Sequence, residues 1–355
     1  MHLFVDISSH GYGHLAIIAP ILRALAEIEP GLRLTVRSGL PAARLGERIT
    51  MPFAHIPATS DFGYRMHDAL TIDFPATASA YRAAHVGWPG AIAAEARLLE
   101  TLRPDAVLTS VAYLPLAGAA ACGIPAFAAC SLNWAELFAH FFGREPWAAA
   151  IHDEMLTAYR AATAFLRITP AMPMADLGNT TAVGPVASPG RRHDLGLGGD
   201  RAVLVALGGV DHPLPIDAWP RLSGVRWLVA GHWRCRHPDA IAWESFGLPF
   251  NDLLCSADAV MTKPGYGTFA DAACNGVAVL YQRRDNWPEQ DCLIEWLAAN
   301  ARCAEIGAAQ MISGDVGAAL RAVWGQPVTP PPSASGGRQA AALLVDRVRN
   351  ASRSV

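Results

Sequence analysis

The feature that most constrains this chain is an alternation of short apolar, strand-like runs with helical segments, which occurs twice along the sequence. In the first half the run 2–7 (HLFVDI) precedes a helical segment at 16–28, and the run 32–38 follows it. A second series begins at 202–209 and contains helix, strand, glycine-rich loop, helix and strand across 251–282. Parallel strands need crossover connections, which helices supply. The pattern predicts an α/β fold with two doubly wound, Rossmann-like domains.

Segments without periodicity predict the domain boundaries. Residues 174–200 are rich in glycine, proline and serine, and we expect them to be a linker. The prediction is an N-terminal domain over 1–178 and a C-terminal domain over 179–325, which suits a chain of 355 residues. The stretch 326–355 is expected to be a Pro/Ser/Gly linker followed by a helix, and a return of that helix to the N-terminal domain is left open.

The composition excludes several classes of protein. Hydrophobic residues make up 52% and charged residues 17%, with a formal charge of −3, so a disordered chain or a nucleic-acid-coating protein is not expected. The N-terminus does not resemble a signal peptide, and no apolar run is long enough to span a membrane, so we expect a cytoplasmic protein. The seven cysteines form no CxxC pair and predict free thiols. Only His232, Cys235 and His237 cluster, so no metal site is predicted.

The first motif that suggests chemistry is SSHGYGH at 8–14, directly after the first predicted strand. Gly11 and Gly13 would let the backbone approach a ligand closely, and backbone N–H groups at the start of the following helix favour an anion. His10 and His14 place two imidazoles at the same point. The structural alternative is a strand–helix turn whose histidines only cap the helix or face water.

The second motif is a glycine-rich loop that enters a helix, at 262–276. A loop of this kind is a seat for a diphosphate. The residues predicted to bind such a diphosphate-bearing donor molecule are Lys263, Gly265, Tyr266, Gly267 and Thr268. Asp271 could accept hydrogen bonds from ribose hydroxyls, or it could be a carboxylate that only complements the helix dipole. The charged segment 283–291, which includes Glu289 and Gln290, follows the next strand, where polar contacts to a sugar would be needed.

Two weaker signals complete the candidate site. Gly208 and Gly209 end a predicted strand and could meet a phosphate, although a plain turn is nearly as good an interpretation. The predicted acceptor-binding residues are Asp61, Asp73, Asn133 and Trp134, since aromatic rings suit the apolar face of a sugar. Core packing is the alternative for Trp134. Because ligands bind beyond the carboxyl ends of parallel strands, the two glycine-rich loops are expected to face one cleft.

Together, SSHGYGH, DFGYRMHDALTID (61–73), CSLNWAELF (130–138) and TKPGYGTFADAACNGVAVLYQRRDNWPEQ (262–290) resemble GT-B glycosyltransferases of the MurG-like and UDP-glycosyltransferase type. The nearer resemblance is to the glycosyltransferase-like domain of plant arabinokinases and its stand-alone bacterial relatives. The resemblance implies that His14 is a general base, that 265 and 267 lie in the donor diphosphate loop, and that Asp271 replaces the usual ribose-binding Glu. It also implies that Glu289 and Gln290 bind donor sugar hydroxyls.

These observations predict a metal-independent, inverting glycosyltransferase. His14 would take a proton from the acceptor while the donor, a nucleoside-diphosphate sugar with UDP favoured, loses its diphosphate. The acceptor is expected to be a small molecule or metabolite, with no cofactor, no nucleic acid and no membrane span; a homodimer is left open. The alternatives are a UDP-sugar epimerase or hydrolase, which needs carboxylates near the anomeric carbon, and a non-catalytic nucleotide-sugar-binding protein.

Overall fold

The computed structural model describes residues 1–68, 71–208 and 212–353, with side chains through Ala351. Its contacts divide the chain into two compact units. The first holds Met1–His67, Ile72–Val186 and the C-terminal segment from Ser335 onward, and the second holds Ala187–Ala334. The contact boundary therefore follows Val186, whereas the predicted boundary followed residue 178.

The first unit is built on a parallel sheet whose strand order is β3-β2-β1-β4-β5-β6-β7. Its strands are β1 (His2–Asp6), β2 (Arg33–Arg37), β3 (Phe53–Ile56), β4 (Ala106–Thr109), β5 (Ala126–Cys130), β6 (Ala164–Ile168) and β7 (Thr180–Val183). Every residue of β1, β4 and β5 is buried, as expected of central strands covered on both faces.

Helices cover this sheet and one of them comes from the end of the chain. They are α1 (Tyr12–Ile28), α2 (Ala42–Gly46), α3 (Phe74–His85), α4 (Trp88–Leu102), α5 (Leu114–Ala121), α6 (Trp134–Phe142), α7 (Ala148–Arg160) and, after the second unit, α13 (Gly336–Arg353). The last helix packs on α1 and is tied to the end of β7, where the Gly184 N–H donates to Gln339 Oε1 at 2.7 Å.

The second unit contains a smaller parallel sheet with strand order β10-β9-β8-β11-β12-β13. Its strands are β8 (Arg201–Val205), β9 (Val225–Val229), β10 (Ala240–Ala242), β11 (Ala259–Thr262), β12 (Ala278–Tyr281) and β13 (Cys303–Glu305). Its helices are α8 (Phe250–Ser256), α9 (Tyr266–Cys274), α10 (Glu289–Asn300), α11 (Ala308–Ser313) and α12 (Gly317–Trp324). One face of the sheet packs in a core that includes Trp227, Met261 and Leu280.

The predicted α/β class with two doubly wound sheets is confirmed, and one predicted segment is wrong. The stretch 174–200 was expected to be a linker, but it contains β7, the edge strand of the first sheet. This strand is only four residues long and is flanked by Asn179 and Gly184, so no alternation marks it in the sequence. Within residues 1–68, 71–208 and 212–353, no helix is long and apolar enough to cross a membrane.

In each sheet the strand order reverses next to the first strand of the unit, between β1 and β4 and between β8 and β11. Ligands of open parallel sheets bind beyond the carboxyl ends of the strands at such reversals. The loop 7–11 follows β1, and the loop 263–265 follows β11. Each glycine-rich loop therefore lies at the reversal point of its own sheet.

Candidate functional site

The loop after β1 leads directly into α1, and the start of this helix is open. Gly11 is the N-cap in extended backbone and, being glycine, has no side chain to cap the first turn. Among the described residues, none would come within 4 Å of a Cβ added at Gly11 or Gly13. The first backbone N–H groups of a helix lack partners within the helix. The loop thus offers donors and free space, as the sequence predicted for an approaching ligand.

His14 is the third residue of α1 rather than a loop residue, and its side chain is almost covered. It is 7% exposed, its Nδ1 is 3.9 Å from the Cys130 sulfur, and its ring meets Trp134 edge-on at 5.7 Å between centroids. Burial lowers the pKa of His14 to about 4. The imidazole is therefore neutral near pH 7 and can accept a proton, although as a weak base.

His10 differs from His14 because its ring is held by a backbone donor. The Tyr64 N–H donates to His10 Nδ1 at 3.3 Å, which leaves the proton of the neutral ring on Nε2. The ring also meets Trp134 edge-on at 5.4 Å between centroids and lies against Gly63, where an added Cβ would be 2.7 Å from its Cγ. In this arrangement Nε2 of His10 can donate a hydrogen bond but cannot take a proton.

Asp61, one of the predicted acceptor-binding residues, lies beside the same aromatic ring. The Trp134 indole Nε1–H donates to Asp61 Oδ2 at 2.7 Å. Burial and the nearby Asp6 carboxylate raise the pKa of Asp61 to about 7, against smaller lowering effects of hydrogen bonds from Trp134 and Ser8. Asp61 is thus an acid whose proton is exchangeable near neutral pH.

A buried cluster of three charged side chains lies next to the segment that carries Asp61. Asp6 ends β1 and accepts from Arg37 Nε at 2.5 Å, and the same guanidinium donates to both oxygens of Glu95 at 2.7 and 2.8 Å. All three side chains are at most 6% exposed. Ser60 Oγ donates to the other oxygen of Asp6 at 2.7 Å. The cluster fixes the segment that carries Asp61 to the end of β1.

The other two predicted acceptor residues are helix caps. Asp73 precedes α3 and its Oδ1 accepts from the Ala76 N–H at 2.9 Å. Asn133 precedes α6 and its Oδ1 accepts from the Glu136 N–H at 2.8 Å. Asn133 is also 2% exposed. These are the bonds that N-cap residues make, so the structure gives both side chains a local structural role.

In the second unit α9 begins as α1 does, at a glycine N-cap without a side-chain cap. Gly265 is the N-cap in extended backbone without a side-chain cap, and Tyr266, Gly267 and Thr268 form the first turn. An added Cβ at Gly265 would come no closer than 3.8 Å to any described atom. The predicted diphosphate loop therefore has the backbone geometry and the space that an anion needs. Gly208 lies in the loop after β8, and Gly209 lies outside the described residues.

Two cations flank this helix start. The Lys263 ammonium lies near Gly208 and Gly265, since Cβ atoms added there would be 3.7 and 4.0 Å from its Nζ. Burial and the nearby Arg284 guanidinium lower the pKa of Lys263 to about 7, and Glu289 opposes them. The ammonium is therefore held in an environment that disfavours its charge until an anion is present.

Arg284 is the residue that the sequence did not single out from its charged segment. It is 8% exposed, its guanidinium lies over the Trp287 ring at 4.0 Å from the centroid, and its Nε is buried without a hydrogen-bond partner among the described residues. Burial lowers its pKa to about 10, against the attraction of Glu289. A buried, incompletely bonded guanidinium is costly unless a ligand completes it.

The remaining predicted donor residues are held by the chain itself. Gln290 accepts from the Arg284 N–H and donates to the Arg284 carbonyl, both at 2.9 Å, so its amide clamps that backbone. Glu289 accepts from the Trp287 Nε1–H at 3.1 Å and is 5% exposed. Asp271 is 3% exposed and accepts from the Ser188 N–H at 2.8 Å. Gln290 and Asp271 thus have clear structural roles in this unit.

In the part of the chain that the structure describes, the side chains that could ligate a metal ion do not come together. Among the residues that the structure describes, no group of three or more His, Cys, Asp or Glu side chains is placed to hold a metal ion. His237, from the single sequence cluster considered for zinc, accepts from the Asp239 N–H and bonds the Trp219 carbonyl instead.

Comparison with known proteins places the fold. No protein-family model matches the chain. A glycosyltransferase of kitacinnamycin has 18% identity and a TM-score of 0.65, with 98% of each chain covered. A spinosyn rhamnosyltransferase, solved in complex with thymidine diphosphate, has 16% identity and a TM-score of 0.56, covering 99% of this chain and 96% of the other. At these identities the likeness establishes the fold, which is GT-B.

A curated relative was also found. The chain is 24% identical over 312 residues to L-arabinokinase of Arabidopsis thaliana. The match covers 81% of this chain but 28% of the relative, so the chain corresponds to about a quarter of that protein's length. The resemblance drawn from the sequence motifs is consistent with both comparisons.

Proposed function

We propose that this protein is a metal-independent, inverting glycosyltransferase that moves a sugar from a nucleoside-diphosphate sugar to a small-molecule acceptor. The observation that carries the proposal is the start of α9, where an N-cap glycine with free space around it lies near the ammonium of Lys263, next to the buried guanidinium of Arg284. Burial lowers the pKa of both cations, and the Nε of Arg284 has no hydrogen-bond partner among the described residues. A diphosphate would satisfy both.

The chemistry of a diphosphate fits this arrangement closely. A helix start binds one phosphate through backbone N–H groups, and a planar guanidinium can hold two oxygens of the other. Two cations supply the charge that a divalent metal would otherwise bring to the leaving group. The GT-B neighbour in complex with thymidine diphosphate supports this class of donor, and UDP is the donor nucleotide that we favour.

In the proposed reaction the acceptor oxygen or nitrogen attacks the anomeric carbon while the bond from that carbon to the diphosphate oxygen breaks. His14 accepts the acceptor proton, because it is neutral near pH 7, and later releases it to water. His10, whose Nε2 carries its proton, donates a hydrogen bond to a ligand oxygen. The nucleoside diphosphate leaves with its negative charge held at α9.

The proposal is tested by binding and turnover on the purified protein in the presence of EDTA. Isothermal titration calorimetry with UDP, thymidine diphosphate, ADP and GDP is expected to show binding of at least one of them. Gly265→Ala should weaken it, and Gly87→Ala is the matched control, since Gly87 is also a helix N-cap with free space around its Cα. Absence of binding by all four at millimolar concentration would contradict the proposal.

A second candidate, a non-catalytic nucleotide-sugar-binding protein, is favoured by one observation. His14 is 7% exposed and its pKa is about 4, which is poorly matched to proton transfer near pH 7. Single-turnover release of nucleoside diphosphate from bound donor, with and without candidate acceptors, separates the two. His14→Ala should slow transfer by about a hundredfold in an enzyme and should change nothing in a binding protein that stays folded.

The epimerase or hydrolase alternative receives less support from the geometry. It requires free carboxylates from the segment 61–73. Asp73 instead caps α3 and Asp68 accepts from the Thr71 N–H, which leaves Asp61 alone where this alternative needs more than one carboxylate. We therefore do not carry that alternative further.

A further inference from the structure

The first unit contains a partly open cavity of about 80 Å³ that the proposed transfer chemistry does not use. A single water needs only about 15 Å³ by the same measure, so the cavity has room for a small organic group. Its walls are largely aromatic and comprise Phe62, Tyr81, Trp88, Tyr113 and Trp134. Its polar edge includes Ser60 and Asp61.

A hydrogen-bonded chain sets the direction of one polar group on the wall. Glu154 lies 2.5 Å from Nδ1 of His85, and Nε2 of His85 lies 2.8 Å from the Tyr113 hydroxyl. Burial lowers the pKa of His85, so its ring carries one proton at neutral pH, and the carboxylate holds that proton on Nδ1. Nε2 therefore accepts the Tyr113 O–H, which leaves the phenol oxygen to accept hydrogen bonds from the cavity.

Ser60 and Asp61, the other two polar groups of the wall, also present acceptor oxygens. Ser60 donates its only hydroxyl proton to Asp6, so its oxygen is left as an acceptor. Asp61 accepts from Trp134 through Oδ2, and a carboxylate has acceptor sites to spare. Tyr113 and Ser60 thus present acceptor oxygens, Asp61 does so in its ionised form, and rings that attract cations surround them.

We propose that this cavity binds the ammonium group of a small primary amine, with Asp61 and the Tyr113 oxygen as its hydrogen-bond acceptors and Trp88 and Trp134 against its alkyl stem. An ammonium has three donors and no acceptor, which complements this wall. The hydroxyl of a neutral alcohol has one donor proton and could bond only one of these acceptors at a time. An ionised carboxylate or phosphate has only acceptor oxygens, so it would face the acceptors of the wall without a hydrogen bond, and we do not expect it to bind in the cavity.

The position of the cavity connects it with the candidate catalytic pair. Trp134 and Gly63 line it, and both also lie against His10, while Trp134 contacts His14 as well. An amine anchored here therefore lies one side chain away from both imidazoles. The assignment of this amine as part of the acceptor rests on the proposed function, whereas its binding does not.

The experiment compares ethanolamine with ethylene glycol, which has the same size but a hydroxyl in place of the ammonium, by calorimetric titration of the full chain. Ethanolamine should bind about tenfold or more tightly than ethylene glycol, the usual advantage of charge-assisted hydrogen bonds. Asp61→Asn should remove that preference, and Tyr113→Phe should weaken ethanolamine binding several-fold while keeping the ring. Asp153→Asn, which removes an exposed carboxylate on α7, is the matched control and should leave binding intact.

Circular dichroism confirms that each variant is folded before titration. Equal binding of the two probes, no binding of ethanolamine at tens of millimolar (a concentration at which weak sites fill), or an unchanged preference in Asp61→Asn would overturn the proposal. UDP titration of the same samples separates the two hypotheses. Absence of ethanolamine binding to the wild-type protein with UDP binding intact refutes only the amine site, and the reverse result in the wild-type protein refutes only the transferase.

Discussion

Asp61→Asn should stabilise the first unit at neutral pH and leave its stability unchanged near pH 4. The pKa of Asp61 is raised from 3.8 to about 7 because its carboxylate is buried near Asp6. The folded state therefore holds a proton that the unfolded chain has released, and stability is lost as the pH rises from about 4 through 7. Asparagine keeps the shape, still accepts from the Trp134 indole and cannot ionise.

The magnitude follows from the shift. At about 1.4 kcal/mol per pKa unit, a shift of roughly three units corresponds to about 4 kcal/mol, which is an upper bound because the folded chain can relax. His14 has the opposite effect in the same range, since its pKa is lowered from 6.5 to about 4 and its stabilisation is lost as the pH falls. The contributions of these two groups therefore nearly cancel between pH 4 and 6.5, and the difference between variant and wild type isolates Asp61.

The assay is differential scanning calorimetry of both proteins from pH 4 to 8, which separates the transitions of the two units. The transition of the first unit should move upward in Asp61→Asn by a growing amount as the pH rises, and the other transition should not move. Asp153→Asn reports what the loss of one exposed carboxylate does. A difference between variant and wild type that is constant across this pH range refutes the reasoning.

Three further results are expected. Arg37→Met should lower the free energy of unfolding by about 3–5 kcal/mol, measured in urea, because it leaves two carboxylates buried without their partner. Gly63→Ala should destabilise the first unit by about 1–3 kcal/mol, measured by calorimetry, because the residue has a φ of +59° and the new methyl would meet His10; an unchanged transition would contradict this. UDP affinity should fall by up to about tenfold per pH unit above pH 7, because Lys263 loses its proton there, and calorimetry on Lys263→Met should show no such slope.

The sequence was sufficient for the central strands and the glycine-rich loops but not for short edge strands. Apolar runs identified β1, β4, β8 and β11, which are buried on both faces. The strands β10 and β13 are three residues long and only partly buried, so they carry no periodicity that could mark them.

Helix caps were interpreted as binding residues, although their sequence contained a signal. Asn133 precedes Glu136 by three residues, which is the spacing of a capping box, and its side chain does accept from that backbone N–H. Asp73 precedes a Phe-Pro pair, and proline is common in the first turn of a helix. Asp271 could not have been resolved in this way, because its partner Ser188 lies 83 residues away.

The two adjacent arginines of the charged segment show another difference that the sequence could not predict. Arg283 is paired with Asp291 and Glu305 at the surface, whereas Arg284 is buried against Trp287. Nothing in the local sequence separates them, since both follow β12 and both are flanked by polar residues. The contacts that distinguish Arg284, from Gln290 to its backbone and from the Trp287 ring to its guanidinium, are visible only in the folded chain.

The same tripeptide, Gly-Tyr-Gly, begins both helices of interest, and what surrounds it decides the chemistry. At 11–13 and at 265–267 the first glycine is the N-cap in extended backbone, without a side-chain cap. Beside α9 stand Lys263 and Arg284, so that helix start adds to a positive field and suits a diphosphate. In the loop before α1 stands His10, while His14 and Asp61 lie near Trp134, so that start faces groups that exchange protons near or below neutral pH. The same Gly-Tyr-Gly helix start therefore lies beside two different sets of side chains, and under the proposed function the set at α9 suits the leaving group while the set at α1 suits proton transfer.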